Sequence, residues 1–495
     1  MKPILVFLSV FFVISIYSQN QTSLQVIESK PFHDSVEAPD VVAMQTNDNG
    51  DTGVIRFNTR QMLFDVFNAS LERISNAIID IERKEEFRAS LYFENQIKVI
   101  TLYAPSSKER VVYCYTFNIN TKSYTKKQLF QKTLESNAAL FSGANKRQTN
   151  FAQSPNGKYL AMTTDNIKKK SNSYTIHLFD ANTLEVVFEQ SYQEHIEKYF
   201  ELNDLAVDND ANVFVLGKLF MEGRKNKIDN KANYEFVLNK VNTSKIDVQS
   251  IALDQEQIKS LTISFKNHKL HLLGFYSERN VNKIKGGCDF QVNPNTLVVE
   301  NKQLSQLPIA VFEDIFGEDN AEDKKDKELS NYFVDYTIED ANGNTYLLAE
   351  EFFISTTYVS NGQFGGYTTT TPHYNNILIL KLNASGTLEW GRSVFKKANA
   401  PSYNAFLKEN QLHVVLNSGK NLKDKEDGRV KVSKGIFESS ALYDFAYSEN
   451  GEVTYTKIQD NKGANFYQPA YGTYKNNQFI MINTRGSEKS LMILK

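Results

Sequence analysis

The stretch N-Y-F-V-D-Y-T-I-E-D-A-N-G-N-T-Y-L-L-A-E-E-F-F at 331–353 is followed, after an insertion, by I-L-I-L-K-L-N-A-S-G-T-L-E-W-G-R-S-V at 377–394. Together they make one complete unit of the chain. Tyr332–Thr337 reads as a first strand, a, and D-A-N-G-N at 340–344 as a turn into strand b, Tyr346–Phe353. Ile377–Leu382 reads as strand c, and N-A-S-G at 383–386 turns it into strand d, Leu388–Val394. β-Branched and aromatic residues fill the runs while Asx and Gly punctuate them, which is the grammar of antiparallel hairpins.

The c–d turn returns along the chain. It reads N-A-S-L at 68–71, N-I-N-T at 118–121, D-A-N-T at 180–183 and K-V-N-T at 240–243, then N-P-N-T at 293–296, N-A-S-G at 383–386 and S-E-N-G at 448–451. The spacing is 50–65 residues, and 90 across one insertion. A four-stranded unit repeated at this period predicts an all-β fold, a β-propeller. The b strands are near-continuous apolar runs, such as K-V-I-T-L-Y at 98–103, V-F-V-L-G-K-L-F at 213–220 and L-H-L-L-G-F-Y at 270–276. Such runs fit strands covered on both faces by neighbouring blades. The d strands alternate, as in L-E-V-V-F-E at 184–189, and suit a rim that meets water.

The ends set the count. Phe466–Thr484 supplies an a–b pair and Leu491–Lys495 a c strand, with no d strand after it. Near the N-terminus Met62–Phe67 and Leu71–Ile79 form a hairpin with no a–b pair read before it. Joining these two ends gives seven blades of four antiparallel strands closed by N- and C-terminal strands. Six and eight are the neighbouring counts, because the pattern leaves the pairing of that hairpin open.

S-P-N-G-K-Y-L at 154–160 resembles the strand–turn–strand core of WD40-like, TolB-type propeller repeats. L-N-A-S-G-T-L-E-W at 382–390 and D-A-N-G-N-T-Y at 340–346 are similar to repeats of bacterial secreted propeller proteins. The resemblance implies a propeller fold, export, and a role as a binding or assembly platform. It carries over no functional residue.

Residues 1–18 have the form of a signal peptide: Lys2, an apolar run of about 14 residues from Ile4 to Tyr17, and small Ser18. That run is shorter than the ~20 residues needed to span a bilayer, and no later stretch is long enough. The mature chain is therefore expected in the periplasm, outside the cell or at its surface, with no integral membrane span. Residues 19–53 are polar and aperiodic and read as a flexible segment, with the propeller occupying 54–495. A net charge of −2, from 56 basic and 58 acidic residues, argues against nucleic acid as a partner. Cys114 and Cys288 fall on third strands in blades three apart, beyond the ~7 Å reach of a disulfide, and read as buried free thiols.

Catalytic and cofactor motifs are absent from the sequence. It has no G-x-S-x-G, phosphate loop, H-E-x-x-H or C-x-x-C, so no cofactor, metal site or catalytic residue is assigned. His268 and His271 are three apart on a strand and face opposite sides. Long insertions are the better pointer, because long loops in a compact fold carry function. They are Met221–Asn233, Glu278–Gly287, Phe312–Leu329, Ser355–Asn376 and Gly419–Ser439, all in b–c or d–a connections and so all on one face. The candidate binding residues lie there: Arg224 in the basic loop, Asp314 and Asp319 in the acidic loop, and Tyr358, Phe364, Tyr367, His373 and Tyr374 in the aromatic Gly/Thr loop. The alternative for the last is an extended hairpin that packs its own aromatics.

The expectation is an exported binding or scaffold propeller that recognises a protein or glycan partner at the cell envelope through this face. The competing expectation is a propeller hydrolase or lyase acting on polysaccharide or peptide through carboxylates of the central funnel. With no catalytic motif to place, binding is favoured over catalysis.

Overall fold

Asx turns and alternating strands build eight four-stranded antiparallel sheets, one after another along the chain. The structure, a computed structural model, describes residues 24–134, 139–141, 150–167, 172–192, 198–229, 231–266, 269–278, 283–360, 366–396, 398, 400–420, 422–424, 430–432, 440–462 and 465–495. Blade 1 is Asp40–Thr46, Thr52–Phe57, Gln61–Phe67 and Arg73–Asp80. Blades 2 to 7 span 85–133, 151–192, 200–251, 257–306, 332–394 and 403–460. Blade 8 takes Thr473–Lys475, Gln478–Asn483 and Ser490–Leu494 from the C-terminal end and Val26–Glu28 as its outer strand. Val26 lies opposite Leu494 and Glu28 opposite Met492.

The propeller thus has eight blades, and the count of seven is corrected. Each c–d turn marks a blade whose third and fourth strands are contiguous in sequence. Blade 8 has no such turn, since its fourth strand comes from the other end of the chain. The sequence reading also merged the hairpin at 61–80 with the C-terminal unit, whereas that hairpin completes a blade of its own. Its a and b strands lie in and beside the segment 19–53, whose described part holds Val26–Glu28, Asp40–Thr46 and the start of Thr52–Phe57.

Two features hid those strands. A bulge between Val41 and Ala43 breaks the period of two in the inner strand. The next strand carries Arg56, a charge inside an apolar run. Yet N-D-N-G-D at 47–51 is the same a–b turn as D-A-N-G-N at 340–344. The backbone N–H of Asp51 donates to the Asn47 side chain at 2.8 Å, as that of Asn344 donates to Asp340 at 2.9 Å. The Asx-rich loops are hairpin turns.

Eight apolar clusters fill the spaces between successive blades, so the ring closes. Phe64, Ile97 and Phe117 join blades 1 and 2, and Leu216, Phe236 and Leu272 join blades 4 and 5. Val54, Phe67, Ile482 and Ile493 join blade 8 back to blade 1. Each fully buried Leu, Ile or Phe contributes about 1.5–3 kcal/mol, and closure removes the free sheet edge. Cys114 and Cys288 lie buried and unbridged on the c strands of blades 2 and 5. Burial pushes the Cys114 thiol up to about 11, far from a reactive thiolate.

Inner strands also meet through polar contacts. Asp204 of blade 4 accepts from the Thr262 hydroxyl at 2.6 Å and the Ile263 N–H at 2.7 Å in blade 5. Asp335 of blade 6 accepts from the Tyr403 hydroxyl of blade 7 at 2.5 Å. Asn404 of blade 7 donates to the carbonyls of Pro469 and Gly472 leading into blade 8.

Candidate functional site

In this topology the b–c and d–a connections share one face, and the described insertions elaborate it. The b–c segment of blade 4 contains a two-residue hairpin, Lys227–Ile228 against Lys231–Ala232. Lys283–Ile284 of blade 5 pairs with Leu329–Ser330, just before blade 6. The acidic insertion is helical: α1, Ile309–Phe316, and α2, Glu318–Lys324, separated by Gly317 at φ +90°. Val311, Phe312 and Ala321 turn inward against Leu307, Leu329 and Leu347.

The aromatic insertion is a β-hairpin arm. Strand b of blade 6 runs Thr345–Ser360 and strand c runs Gly366–Leu382. Strand a pairs only as far as Glu351, and strand d only with Ile377–Leu382. Nine pairs, from Phe352↔Tyr374 to Ser360↔Gly366, extend past the blade as a two-stranded ribbon about 30 Å long. Its base is fixed by the Phe352 N–H donating to Asn331 and by a bridge between Tyr374 and Ala398.

The sequence-derived residues separate on this face. His373 stacks on Phe353 at 4.7 Å and shares a 2.7 Å hydrogen bond with Ser355. Tyr374 tilts against Phe352 at 4.9 Å. Tyr358 and Tyr367 lie on the two arm strands, Tyr358 opposite Thr368 and Tyr367 opposite Val359, and their side chains lie outside the described residues. Phe364 also lies outside the described residues. Asp314 accepts from Nε and Nη2 of Arg392, both at 2.8 Å, and from the Ser393 N–H, so it pins α1 to blade 6. Asp319 is exposed in the first turn of α2. Arg224 stands on blade 4 with its guanidinium 4.4 Å over the Tyr199 ring. The arm strands carry Tyr358, Tyr367, His373 and Tyr374, and the charged candidates sit on other insertions.

A second feature of this end of the ring escaped the sequence reading. Bulges on the inner strands of blades 4 and 5 fall at Asn203 and Lys259, the residues skipped in the pairing register. Beside them, Lys218 of strand b is 9% exposed. With Ser260 and Phe333 these residues line a small cavity of about 40 Å³ near the start of the inner strands. Lys218 Nζ lies 4.5 Å from the Tyr234 ring centre, and Lys259 Nζ 5.9 Å from that of Phe333. Burial pulls Lys218 down to about 8, with Glu201 opposing and Lys259 adding to the fall. Lys259 is lowered too, chiefly by burial. The available signal was a lysine inside V-F-V-L-G-K-L-F, a run otherwise apolar and buried on both faces.

Two buried histidines pair with carboxylates within their own blades. His271 bonds Asp289 at 3.0 Å in blade 5, and His413 bonds Asp444 at 2.9 Å in blade 7, each from strand b to strand c. Among the described residues no three His, Cys, Asp or Glu side chains converge as a metal site, and no helix is long and apolar enough to cross a membrane.

No family model matches the chain, and no curated protein does. Among solved structures it is similar to the Dos1 propeller, with 9% identity, a TM-score of 0.43 and coverage of 94% of each chain. It is similar to the WD40 domain of SCAP from fission yeast, with 7% identity, a TM-score of 0.40 and coverage of 95% of this chain and 98% of that one. It is also similar to the β-propeller domain of the Trilobed protease from Pyrococcus furiosus, with 9% identity, a TM-score of 0.36 and coverage of 73% of this chain and 98% of that one. The assignment as a propeller rests on the chain's own eight sheets.

Proposed function

We propose that this chain is an exported binding propeller that captures a protein or glycan partner at the cell envelope through its insertion face. The observation that carries the reading is the arm of blade 6. A two-stranded ribbon is marginal in water without a packing partner, yet this one extends nine residue pairs past its blade. Beyond its anchored base, no described strand pairs with either edge of the ribbon. Ile354, which is 59% exposed, adds an apolar side chain to a surface otherwise rich in Thr. Free edges and an exposed apolar residue are what strand addition by a partner uses. The apolar leader at 1–18 supports export.

The test replaces residues 355–376 by a short turn and uses the mature protein and the variant as baits for an envelope fraction. Under this reading the intact protein retains a partner that the variant loses, while both melt at the same temperature. Equal recovery by both baits would discard the arm as the binding element.

A further inference from the structure

We propose that the cavity between Lys218 and Lys259 is a receptor for a single carboxylate group carried by a small molecule reaching the mouth of the propeller channel. The inference is independent of the arm. Lys218 comes from strand b of blade 4 and Lys259 from the inner-strand bulge of blade 5, so each of two blades brings a lysine to the lining of one space. Among the described residues neither ammonium lies within 4 Å of a carboxylate. Each is held against an aromatic ring instead, Lys218 against Tyr234 and Lys259 against Phe333. Aromatic faces steady a cation but leave its N–H donors unused.

The nearest anionic residue in register is Glu201, opposite Lys218, and it offers one negative charge to two positive ones. The Ser260 hydroxyl adds a third donor, buried and without a protein partner. Asn203 is already engaged, its amide donating to the Leu261 carbonyl. A space of about 40 Å³ admits about three water-sized atoms. Three heavy atoms make a carboxylate, whereas a tetrahedral phosphate or sulfate has five. Two ammonium groups and a hydroxyl supply charge-assisted donors to both carboxylate oxygens, the strong form of hydrogen bond. Binding an anion there also relieves the repulsion between the two lysines.

Lysine-selective ¹³Cε NMR of the mature chain tests this, with sodium acetate titrated against sodium chloride at constant ionic strength. Saturating acetate should raise the Lys218 titration midpoint by one pH unit or more. Methyl acetate, phosphate and sulfate at the same concentration should leave it in place. Lys259→Gln, which keeps a polar side chain of similar length at a partly buried site, should weaken acetate tenfold or more, and Ser260→Ala several-fold. A Lys218 midpoint unmoved by 100 mM acetate, or an equal shift with phosphate, overturns the assignment, as does an acetate response unchanged in Lys259→Gln.

Discussion

Ile27 lies directly opposite Ile493, so a residue near the first of the described residues and one near the last share a rung of one sheet. On either side of that rung the backbones of Gln25 and Lys495 exchange two hydrogen bonds, at 2.9 and 3.0 Å, and Ser29 N–H donates to Leu491. Ile27 packs on the cluster of Val41, Val54, Ile482 and Ile493 that seals blade 8 to blade 1. Ile27→Asp should therefore cost about 1–3 kcal/mol, by moving a charge into that cluster. A chain starting at residue 32 should lose more and self-associate, because strand Ser490–Leu494 becomes an open edge. Urea midpoints and gel filtration read both effects. A truncated chain as stable and monomeric as the parent would show that the closure does not hold the ring.

Arg56 is fully buried and bridges Asp34 at 2.6 Å and Asp65 at 2.5 Å, while Arg73 reaches Asp34 at 2.8 Å. Burial would raise the pKa of Asp34, but hydrogen bonds and charge from Arg56, then Arg73, outweigh it and hold it below the ordinary carboxylate value. Arg56→Met leaves buried carboxylates uncompensated and should cost about 3–5 kcal/mol at pH 7. A carboxylate with a depressed folded pKa stabilises above its unfolded value of about 4 and loses that contribution as pH falls through the folded one. The gap between parent and variant should therefore narrow below pH 4. A gap constant from pH 7 to pH 3 would exclude this ion network as its source.

Strands covered on both faces were legible from their apolar runs, and c–d turns from their Asx and Gly residues. Seven of the eight blades announce themselves that way. The eighth could not, because pairing Val26–Glu28 with Ser490–Leu494 is a contact between chain ends that no local pattern encodes. The inner strand Asp40–Thr46 was hidden by its bulge, although N-D-N-G-D at 47–51 carried the turn signal. At the insertion face, the positions of the long segments were legible, but their conformations were not. Phe312–Leu329 is largely helical, and Ser355–Asn376 largely continues two strands. Lys218 and Lys259 sit 41 positions apart on different blades, so only the packing of the blades brings them together.

Asp314 fixes the helical insertion rather than standing free on it. Its carboxylate takes both nitrogens of Arg392 and the Ser393 N–H, and that hydrogen bonding raises the Arg392 pKa above its usual value. Asp314→Ala should cost about 1–3 kcal/mol, the range for losing charge-assisted hydrogen bonds in a partly buried site. Amide exchange over 309–324 should accelerate tenfold or more while blade 6 stays protected. Asp319→Ala, at an exposed position on α2, is the control and should leave exchange unchanged. Equal exchange in the Asp314 variant and the parent would remove the Asp314–Arg392 pair as the anchor.

Lys218 should contribute more to the stability of the propeller in base than at neutrality. Its folded pKa is about 8 because burial penalises the ammonium, whereas an unfolded lysine titrates near 10.4. Below pH 8 both states carry the proton, and the folded state bears the full cost of a buried charge. Between pH 8 and 10.4 the unfolded state binds more protons, so the contribution of this residue to stability rises with pH. The difference in pKa corresponds to at most about 3 kcal/mol. Lys218→Met keeps the apolar stem and removes the charge, so it should be more stable than the parent at pH 7 by up to that amount. The advantage should shrink steadily from pH 8 to 10.4 and be nearly gone above it. Urea midpoints of both proteins at pH 7, 8, 9 and 10 measure the trend. An advantage that stays level across that range would mean that Lys218 folds with an ordinary lysine pKa, and that the two-lysine cavity is wetter than its geometry implies.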